Sequence, residues 1–432
     1  MPNYILSNFF SELNNLGILY LVLRNYKKLP ESTNGSDLDI LIHEDHLMKF
    51  SDFFLSFIRT YNLELVSTIQ DGKCPKFCIS KNDWGLQIDL FKGSVNFGNK
   101  EIIPANVLFE NTRSHEEVNV LDPKISAVLS FLKELLNNKE CTEKYKNSLC
   151  EQFENESIPA EILQNFPTEF FILLNERLEN LTEETCRSLY EIASQNFKRS
   201  RFTGLRSKIS RLLNHPGFTI AFLGVDGAGK STVINKITPV INMSFHNAVY
   251  YEHMRPNKFP SLAEAMGKSI NFEGPVTNPH ASKSSGFLGS LMRWGYYLLD
   301  YTMGYYLKIW PKKTLKSCVW IFDRYYYDYL VDPKRSRIAL PKSLINFGRY
   351  LIKSPDLIVC LGTDAEIIYN RKPELSIDEI NRQLGILKEF CANNNKAVWI
   401  DTGSSIDMSA RETLDHILEV MSKRFKTYRF EL

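Results

Sequence analysis

The C-terminal half of this 432-residue chain predicts an α/β fold with a parallel sheet flanked by helices. Three apolar segments support this prediction, at residues 218–224, 318–322 and 355–361. The first and the third lead into segments with helical spacing of their apolar residues, and strands that alternate with helices are typical of a parallel sheet. Ligands of such sheets bind beyond the carboxyl ends of the strands, so we expect a binding crevice there.

The N-terminal part predicts an α+β domain followed by helices. Strand patterns occupy residues 17–24, 35–42 and 86–91, and helical patterns extend from Asp122 to about Ser210. The predicted helices include Ile125–Leu136, Ala160–Asn165 and Thr182–Ile192. We divide the chain into a domain at residues 1–110, a helical lobe or connector at 111–212, and the parallel-sheet domain at 213–432. Domains of this size can each bury a core.

Residues 218–232, FTIAFLGVDGAGKST, contain the most informative motif. An apolar strand leads into a Gly-x-x-x-x-Gly-Lys-Ser pattern and a helix follows, which is the context of a phosphate-binding loop. Its backbone N–H groups can converge on a polyphosphate at the positive end of the helix. We expect Lys230 to reach the β- and γ-phosphates of ATP and Ser231 to ligate Mg²⁺. The predicted nucleotide-binding residues are Gly224, Asp226, Gly227, Ala228, Gly229, Lys230, Ser231 and Thr232.

The sequence of the loop, Val225–Thr232, resembles the phosphate-binding loop of thymidylate kinases. A second match lies about ninety residues on, where a buried-strand pattern ends in Asp323-Arg324-Tyr325. The resemblance implies that Arg324 grips an acceptor phosphate or the transferring phosphoryl group. It also implies that Asp323 holds a Mg²⁺-bound water or accepts the acceptor's proton. Phosphoryl transfer depends mostly on positioning and charge neutralisation, which suits these residue types.

The same resemblance implies further site residues. In thymidylate kinases with a glycine after the loop's acidic residue, as at Asp226-Gly227 here, the catalytic arginine comes from a mobile lid. Arg371 and Lys372 are the candidates, and we count Asp226, Asp323, Arg324 and Arg371 as the predicted catalytic set. Arg255 and Tyr325 are predicted to bind the acceptor.

The sequence also departs from that family. The Glu-Pro-Gly-Gly type of segment is replaced by residues 248–256, AVYYEHMRP, and Val276–His280 has no counterpart that we can identify. The acceptor therefore stays open between a nucleoside monophosphate and a sugar or sugar phosphate.

Three acidic residues give the N-terminal domain its own signal. Asp37 and Asp39 stand at i and i+2, and Asp89 lies in another alternating strand. The trio resembles the nucleotidyltransferase superfamily that includes polymerase β, in which such carboxylates hold two Mg²⁺ ions. That family places Gly-Ser about ten residues before the acidic pair, whereas this chain has Leu23–Tyr26 there.

Two alternatives to a kinase remain for the whole chain: a nucleotidyltransferase with an auxiliary kinase domain, and a non-catalytic nucleotide-binding regulator.

Composition limits the possible partners. A net charge of +2 predicts no dedicated nucleic-acid surface, and the basic stretch 198–211 is interpreted as a solvated linker. The apolar segment 288–310 is interrupted by Asp300, which predicts a core helix and no transmembrane segment. No signal peptide pattern opens the chain, and we expect a cytoplasmic protein with scattered, reduced cysteines. The expected partners are a nucleotide and a small-molecule acceptor, with a homodimer possible.

Overall fold

The computed structural model of the protein describes residues 3–70, 72–198, 208–209, 211–212, 214–260 and 286–425. Val276–His280 and most of the basic stretch 198–211 lie outside these ranges. The chain forms two compact units, one mainly of residues up to 210 and one mainly of residues from 211 onward. We describe each unit by itself.

The N-terminal unit is built on a seven-stranded sheet. Its strands, with a short two-stranded sheet of β6 and β7, are β1 (Tyr20–Val22), β2 (Leu38–Ile42), β3 (Glu64–Ile69), β4 (Lys76–Lys81), β5 (Trp84–Lys92), β6 (Asn96–Phe97), β7 (Lys100–Glu101), β8 (Thr112–His115) and β9 (Val118–Leu121). The order is β3-β4-β5-β2-β1-β9-β8. Strands β8 and β9 complete this sheet, so the boundary drawn near residue 110 falls inside it.

In the described part of this unit, seven helices accompany the sheet. They are α1 (Asn3–Asn15), α2 (Leu47–Thr60), α3 (Ala105–Glu110), α4 (Pro123–Asn138), α5 (Glu143–Gln152), α6 (Thr168–Glu176) and α7 (Glu183–Asn196), with a 3₁₀ turn at Glu44–His46. One buried cluster runs from Leu21 and Leu41 in the sheet to Leu132 in α4 and Leu189 in α7. The helical lobe therefore shares its core with the sheet.

The predicted helix Ala160–Asn165 is not formed. These residues make turns, in which the N–H of Ile162 donates to the carbonyl of Pro159 and the N–H of Leu163 donates to the carbonyl of Ala160. Pro167 disfavours the helical conformation at Phe166 before it, so these turns end there and do not continue as a helix.

The C-terminal unit is a five-stranded sheet in which every neighbouring pair is parallel. Its strands are β10 (Phe218–Gly224), β11 (Val249–His253), β12 (Val319–Asp323), β13 (Leu357–Gly362) and β14 (Ala397–Asp401), in the order β11-β12-β10-β13-β14. Every residue of β10, β12 and β13 is buried, whereas the edge strands β11 and β14 are partly exposed. Strands covered on both faces are expected to be continuously apolar, so the predicted parallel sheet is confirmed.

Helices lie between and after these strands. They are α8 (Lys230–Phe245), α9 (Phe287–Leu299), a π-helical stretch (Asp300–Ile309), α10 (Trp310–Leu315), α11 (Asp328–Val331), α12 (Lys342–Gly348), α13 (Ala365–Arg371), α14 (Ile377–Ala392) and α15 (Ile406–Lys423). None of the helices in the described ranges has an apolar stretch long enough to cross a bilayer.

The segment 288–310 is helical, as predicted, but only one face of it is buried. Trp294, Tyr301 and Tyr305 pack inward, while Leu288 and Met292 are 73% and 74% exposed. The predicted core helix is therefore buried on one face and exposed on the other.

Candidate functional site

The sheet brings three distant parts of the C-terminal sequence to one edge. Strand β10 ends in the loop 225–229, β12 ends at Asp323, and β13 leads toward α13. Residues Phe222 and Asp323 are register partners, as are Leu223 and Cys360. The carboxyl ends of β10, β12 and β13 therefore open onto the same crevice, which is the usual ligand position in open α/β sheets.

Glycines shape the loop between β10 and α8. Gly227 and Gly229 have φ of +88° and +87°, a region that side chains other than glycine rarely adopt. A Cβ at Gly229 would meet no atom within 4 Å, so this position opens onto free space where α8 begins. Gly224 is required for a different reason: a Cβ at this position would lie only 2.7 Å from the carbonyl oxygen of Leu361. The curled loop at the helix start is the arrangement that receives phosphates.

Lys230 lies folded along this loop. Its ammonium donates hydrogen bonds to the carbonyl oxygens of Gly224 and Val225, at 2.9 and 3.1 Å. Burial, and next the nearby guanidinium of Arg324, lower the pKa of Lys230 to about 7. Because an anion would stabilise the ammonium, the site is electrostatically suited to bind a phosphate.

Asp226 is held between two arginines. One of its oxygens accepts from the Arg324 guanidinium and the other from the Arg335 guanidinium. Both arginines line the crevice. Asp226 therefore links the phosphate-binding loop to the segments that follow β12.

Arg324 has the least ordinary backbone in the site. Its φ is +74°, a conformation that costs free energy in a bulky residue and persists only where the surrounding structure holds it. Arg324 is 4% exposed, and its Nη1 donates to both carboxylate oxygens of Asp328, at 2.8 and 2.9 Å. This pairing fixes the guanidinium in one orientation at the mouth of the crevice.

Asp323 has one oxygen bonded and one without a partner. Its Oδ2 accepts from the Tyr251 hydroxyl at 3.0 Å and from the Ser231 hydroxyl at 3.4 Å. Its Oδ1 is buried and has no hydrogen-bond partner among the described residues. A buried carboxylate oxygen without a partner is costly unless a ligand satisfies it. Together with the Ser231 hydroxyl, it fits a hydrated divalent cation.

The crevice has a volume of about 510 Å³. Its lining includes Asp226, Gly227, Gly229, Lys230, Ser231, Thr232, His253, Asp323, Arg324, Arg335, Arg371, Lys372 and Thr402. Cationic side chains thus outnumber the acidic ones, as a polyphosphate site requires. At its rim Arg371 donates to the carbonyl oxygen of Thr402 at 2.7 Å, and Lys372 pairs with Glu374 at 3.1 Å.

Four residues predicted for this site are not among the residues that line the crevice: Gly224 and Ala228, at the loop, and Arg255 and Tyr325. The N–H of Ala228 donates to the carbonyl of Val225 and is thus used within the loop. Arg255 pairs with the buried Asp300 at 2.8 Å and stacks on Tyr297, since Asp300 would otherwise be an uncompensated charge. Tyr325 is 1% exposed and its hydroxyl donates to the carbonyl of Lys353, so its ring packs in the core.

Sequence reasoning missed Arg335 and Tyr251. Arg335 belongs to the basic run Lys334–Arg337 after β12, which was the available signal. Tyr251 lies on the edge strand β11, where burial and Asp323 together raise its pKa to about 12. Its hydroxyl therefore stays protonated and donates to Asp323.

The acidic trio of the N-terminal unit does converge. Asp39 and Asp89 are register partners on β2 and β5, and one oxygen of each trio member lies within 4.8 Å of the others. Each carboxylate already faces a side-chain cation, because Arg24 contacts Asp37 and Asp39 while Lys76 pairs with Asp89. The trio thus has the spacing of a metal-binding group, while its carboxylates also face the cations Arg24 and Lys76 of the protein itself.

Comparisons with known proteins give the following. No protein-family model matches the sequence, and no curated protein does. Among solved structures, the chain is similar to the thymidylate kinase of Ehrlichia chaffeensis, at 17% identity and a TM-score of 0.32, over 46% of this chain and 98% of that one. It is also similar to the thymidylate kinase of Candida albicans, at 18% identity and a TM-score of 0.33, over 48% and 93%. The P-loop α/β fold of the C-terminal unit follows from its own strand order and loop.

The pKa of Lys230 predicts that nucleotide binding takes up a proton. In the free protein Lys230 loses its charge above pH about 7, because burial, Arg324 and Lys372 outweigh Asp323 and Asp328. A bound polyphosphate restores the ammonium, so affinity should fall by up to about tenfold per pH unit above pH about 7.5.

Calorimetry at pH about 8.5, in two buffers of different ionisation enthalpy, measures this uptake. We expect nearly one proton per nucleotide in the wild type and almost none in Lys230→Met. Equal uptake by the two proteins would contradict the assignment.

Proposed function

We propose that the C-terminal unit is an ATP- and Mg²⁺-dependent phosphotransferase that resembles thymidylate kinase. Its acceptor is a nucleoside monophosphate or a sugar or sugar phosphate. The main support is the crevice in which the loop, Asp323 and the guanidinium groups of Arg324 and Arg335 face one another. This combination of a phosphate cradle, a carboxylate and several cations suits phosphoryl transfer, which needs positioning and charge neutralisation.

The residues of this crevice fit both ATP and Mg²⁺. The open position at Gly229 leaves room for phosphate oxygens, and Asp323 Oδ1 with Ser231 leaves a place for the ion's water shell. When bound, Mg²⁺ and ATP would supply the phosphoryl group and the neutralisation of its charge.

The protein's own residues would do the rest. Lys230 would leave its two loop carbonyls and bind phosphate oxygens, because an ammonium gains more from an anion than from neutral carbonyls. Arg324, fixed by Asp328, would orient the acceptor or the transferring group. Asp323 would orient the ion's water shell or accept a proton, and Arg371 and Lys372 would close over the phosphates from the rim.

The proposal is tested by a screen of purified full-length protein with ATP and Mg²⁺. Nucleoside monophosphates, sugars and sugar phosphates are offered in turn, and ADP formation is measured above the rate without acceptor. We expect one class to raise the rate by about tenfold or more. If ATP binds but no acceptor in any class raises the rate, the nucleotide-binding regulator replaces the kinase.

Asp323→Asn separates turnover from binding. The amide keeps the shape of the side chain but removes its charge, so transition-state stabilisation should fall while most ATP affinity remains. We expect kcat to drop by about 10²–10³-fold, with ATP affinity changed by less than about fivefold. The matched control is Asp364→Asn, because Asp364 is an exposed N-cap residue at the start of α13. Equal kcat in Asp323→Asn and wild type would remove Asp323 from the chemistry.

A further inference from the structure

A second polar cavity lies in the N-terminal unit, between β1 with the loop that follows it and helices α4 and α5. Its volume is about 440 Å³. It shares no lining residue with the P-loop crevice. The lining includes Arg24, Asn25, Tyr26, Lys27, Lys28, Asn34, Ser36, Ser126, Ser130, Lys144, Tyr145, Ser148, Glu151 and Gln152.

Most of the charged side chains that line this cavity are positive. Arg24, Lys27, Lys28 and Lys144 line the cavity, and Glu151 is the one acidic residue among the lining side chains of the described chain. The three lysines are exposed, so they can reach a ligand without losing a buried partner. Such an arrangement attracts a small anion.

Arg24 separates the cavity from the acidic trio. Its guanidinium binds Asp39, lies 3.6 Å from Asp37 and reaches the Tyr145 hydroxyl at 3.4 Å. Lys133 lies 3.6 Å from the other oxygen of Asp39. Because Arg24 and Lys133 offset the charge of these carboxylates, the trio repels less strongly an anion that approaches from the cavity side.

The other lining groups are hydroxyls and amides. Ser36, Ser130 and Ser148 can exchange hydrogen bonds with ligand hydroxyls, and Tyr26 and Tyr145 supply flat faces beside them. Lysines suit a phosphate as point charges, and serine hydroxyls suit a ribose or hexose. The chemistry of the lining is thus that of a phosphorylated, hydroxyl-rich molecule.

We infer that this cavity binds a phosphate ester that carries free hydroxyls, a sugar phosphate or a nucleotide, without a divalent cation. The bound phosphate lies on Lys28 and Lys144, Arg24 stays on its aspartates, and no group is transferred. The N-terminal unit is then a metal-independent ligand-binding unit.

The test uses full-length protein with Lys230→Ala, which weakens the P-loop site, and calorimetry in EDTA. The probes are ribose 5-phosphate, glucose 1-phosphate and AMP, which distinguish the sugar and nucleotide sources, with ribose as the uncharged control. The cavity variant combines Lys28→Gln and Lys144→Gln. The charge-matched control combines Lys49→Gln and Arg59→Gln, two exposed positions on α2.

We expect at least one phosphorylated probe to bind in EDTA, unchanged by added Mg²⁺. The cavity variant should weaken it at least tenfold and the α2 control by less than twofold. The inference is overturned if no probe binds at millimolar concentration, if binding needs Mg²⁺, or if both double variants behave alike. It is also overturned if Mg²⁺ raises the melting temperature and Asp37→Asn with Asp39→Asn abolishes that rise, because the trio would then be a metal site.

Discussion

Lys230→Ala is expected to lower kcat/KM for ATP by about 10²–10³-fold while the protein stays folded. The substitution removes the ammonium that faces the loop and would bind the phosphates, and charge-assisted contacts of this kind are among the strongest in proteins. Stability should change little, because burial already disfavours the charged form of Lys230. Nucleotide titration, steady-state kinetics and thermal melting measure the three quantities.

The control is Lys236→Ala. Lys236 lies on the same helix, α8, but on its exposed side, where it pairs with Asp407. An exposed ion pair contributes about 0–1 kcal/mol, so this variant should keep both affinity and turnover. If Lys230→Ala behaved like Lys236→Ala, the phosphate-binding assignment of the loop would fail.

Arg324→Ala is expected to affect both stability and catalysis. It leaves Asp328, which is 2% exposed, without its guanidinium partner, and breaking such a buried pair costs about 3–5 kcal/mol. It also removes a guanidinium from the crevice. We therefore expect a clear drop in melting temperature and a loss of turnover.

A double variant separates the two roles. Arg324→Gln with Asp328→Asn replaces the charged pair by two amides, so neither residue remains as an unpaired buried charge, and most of the stability should return. If Arg324 acts on the acceptor or the phosphoryl group, kcat/KM for the acceptor should stay at least about 100-fold low. Recovery of turnover together with stability would restrict Arg324 to a structural role.

Arg382→Gln provides the surface comparison. Arg382 pairs with Glu379 on α14, where the pair is partly exposed. Its removal should change stability by less than about 1 kcal/mol and leave turnover unchanged. Comparing the stability and turnover of Arg382→Gln with those of Arg324→Ala therefore tests whether the effects of Arg324 come from its burial and its place in the crevice.

The sequence by itself determined the parallel-sheet fold of the C-terminal unit and the edge of the sheet at which the crevice lies. Strand and loop signals are local: the apolar run of β10, the glycines at 227 and 229, and the acidic end of β12 are each visible within a few residues. Because parallel strands end at one edge, the meeting of the loop with Asp323 followed from that pattern. The acids Asp37, Asp39 and Asp89 are likewise visible in local strand patterns, but the pairing of β2 with β5 that brings Asp39 beside Asp89 is not local.

Only the tertiary structure decided which charges meet. Asp226 and Arg335 are 109 residues apart, and Arg24 reaches Tyr145 across 121 residues. No spacing rule links such positions, since their side chains are brought together by packing between elements. The core position of Tyr325, the pairing of Arg255 with Asp300, and the cations around the acidic trio were decided in the same way. A buried charge must find a partner in the fold, and the partner can come from any element packed beside it.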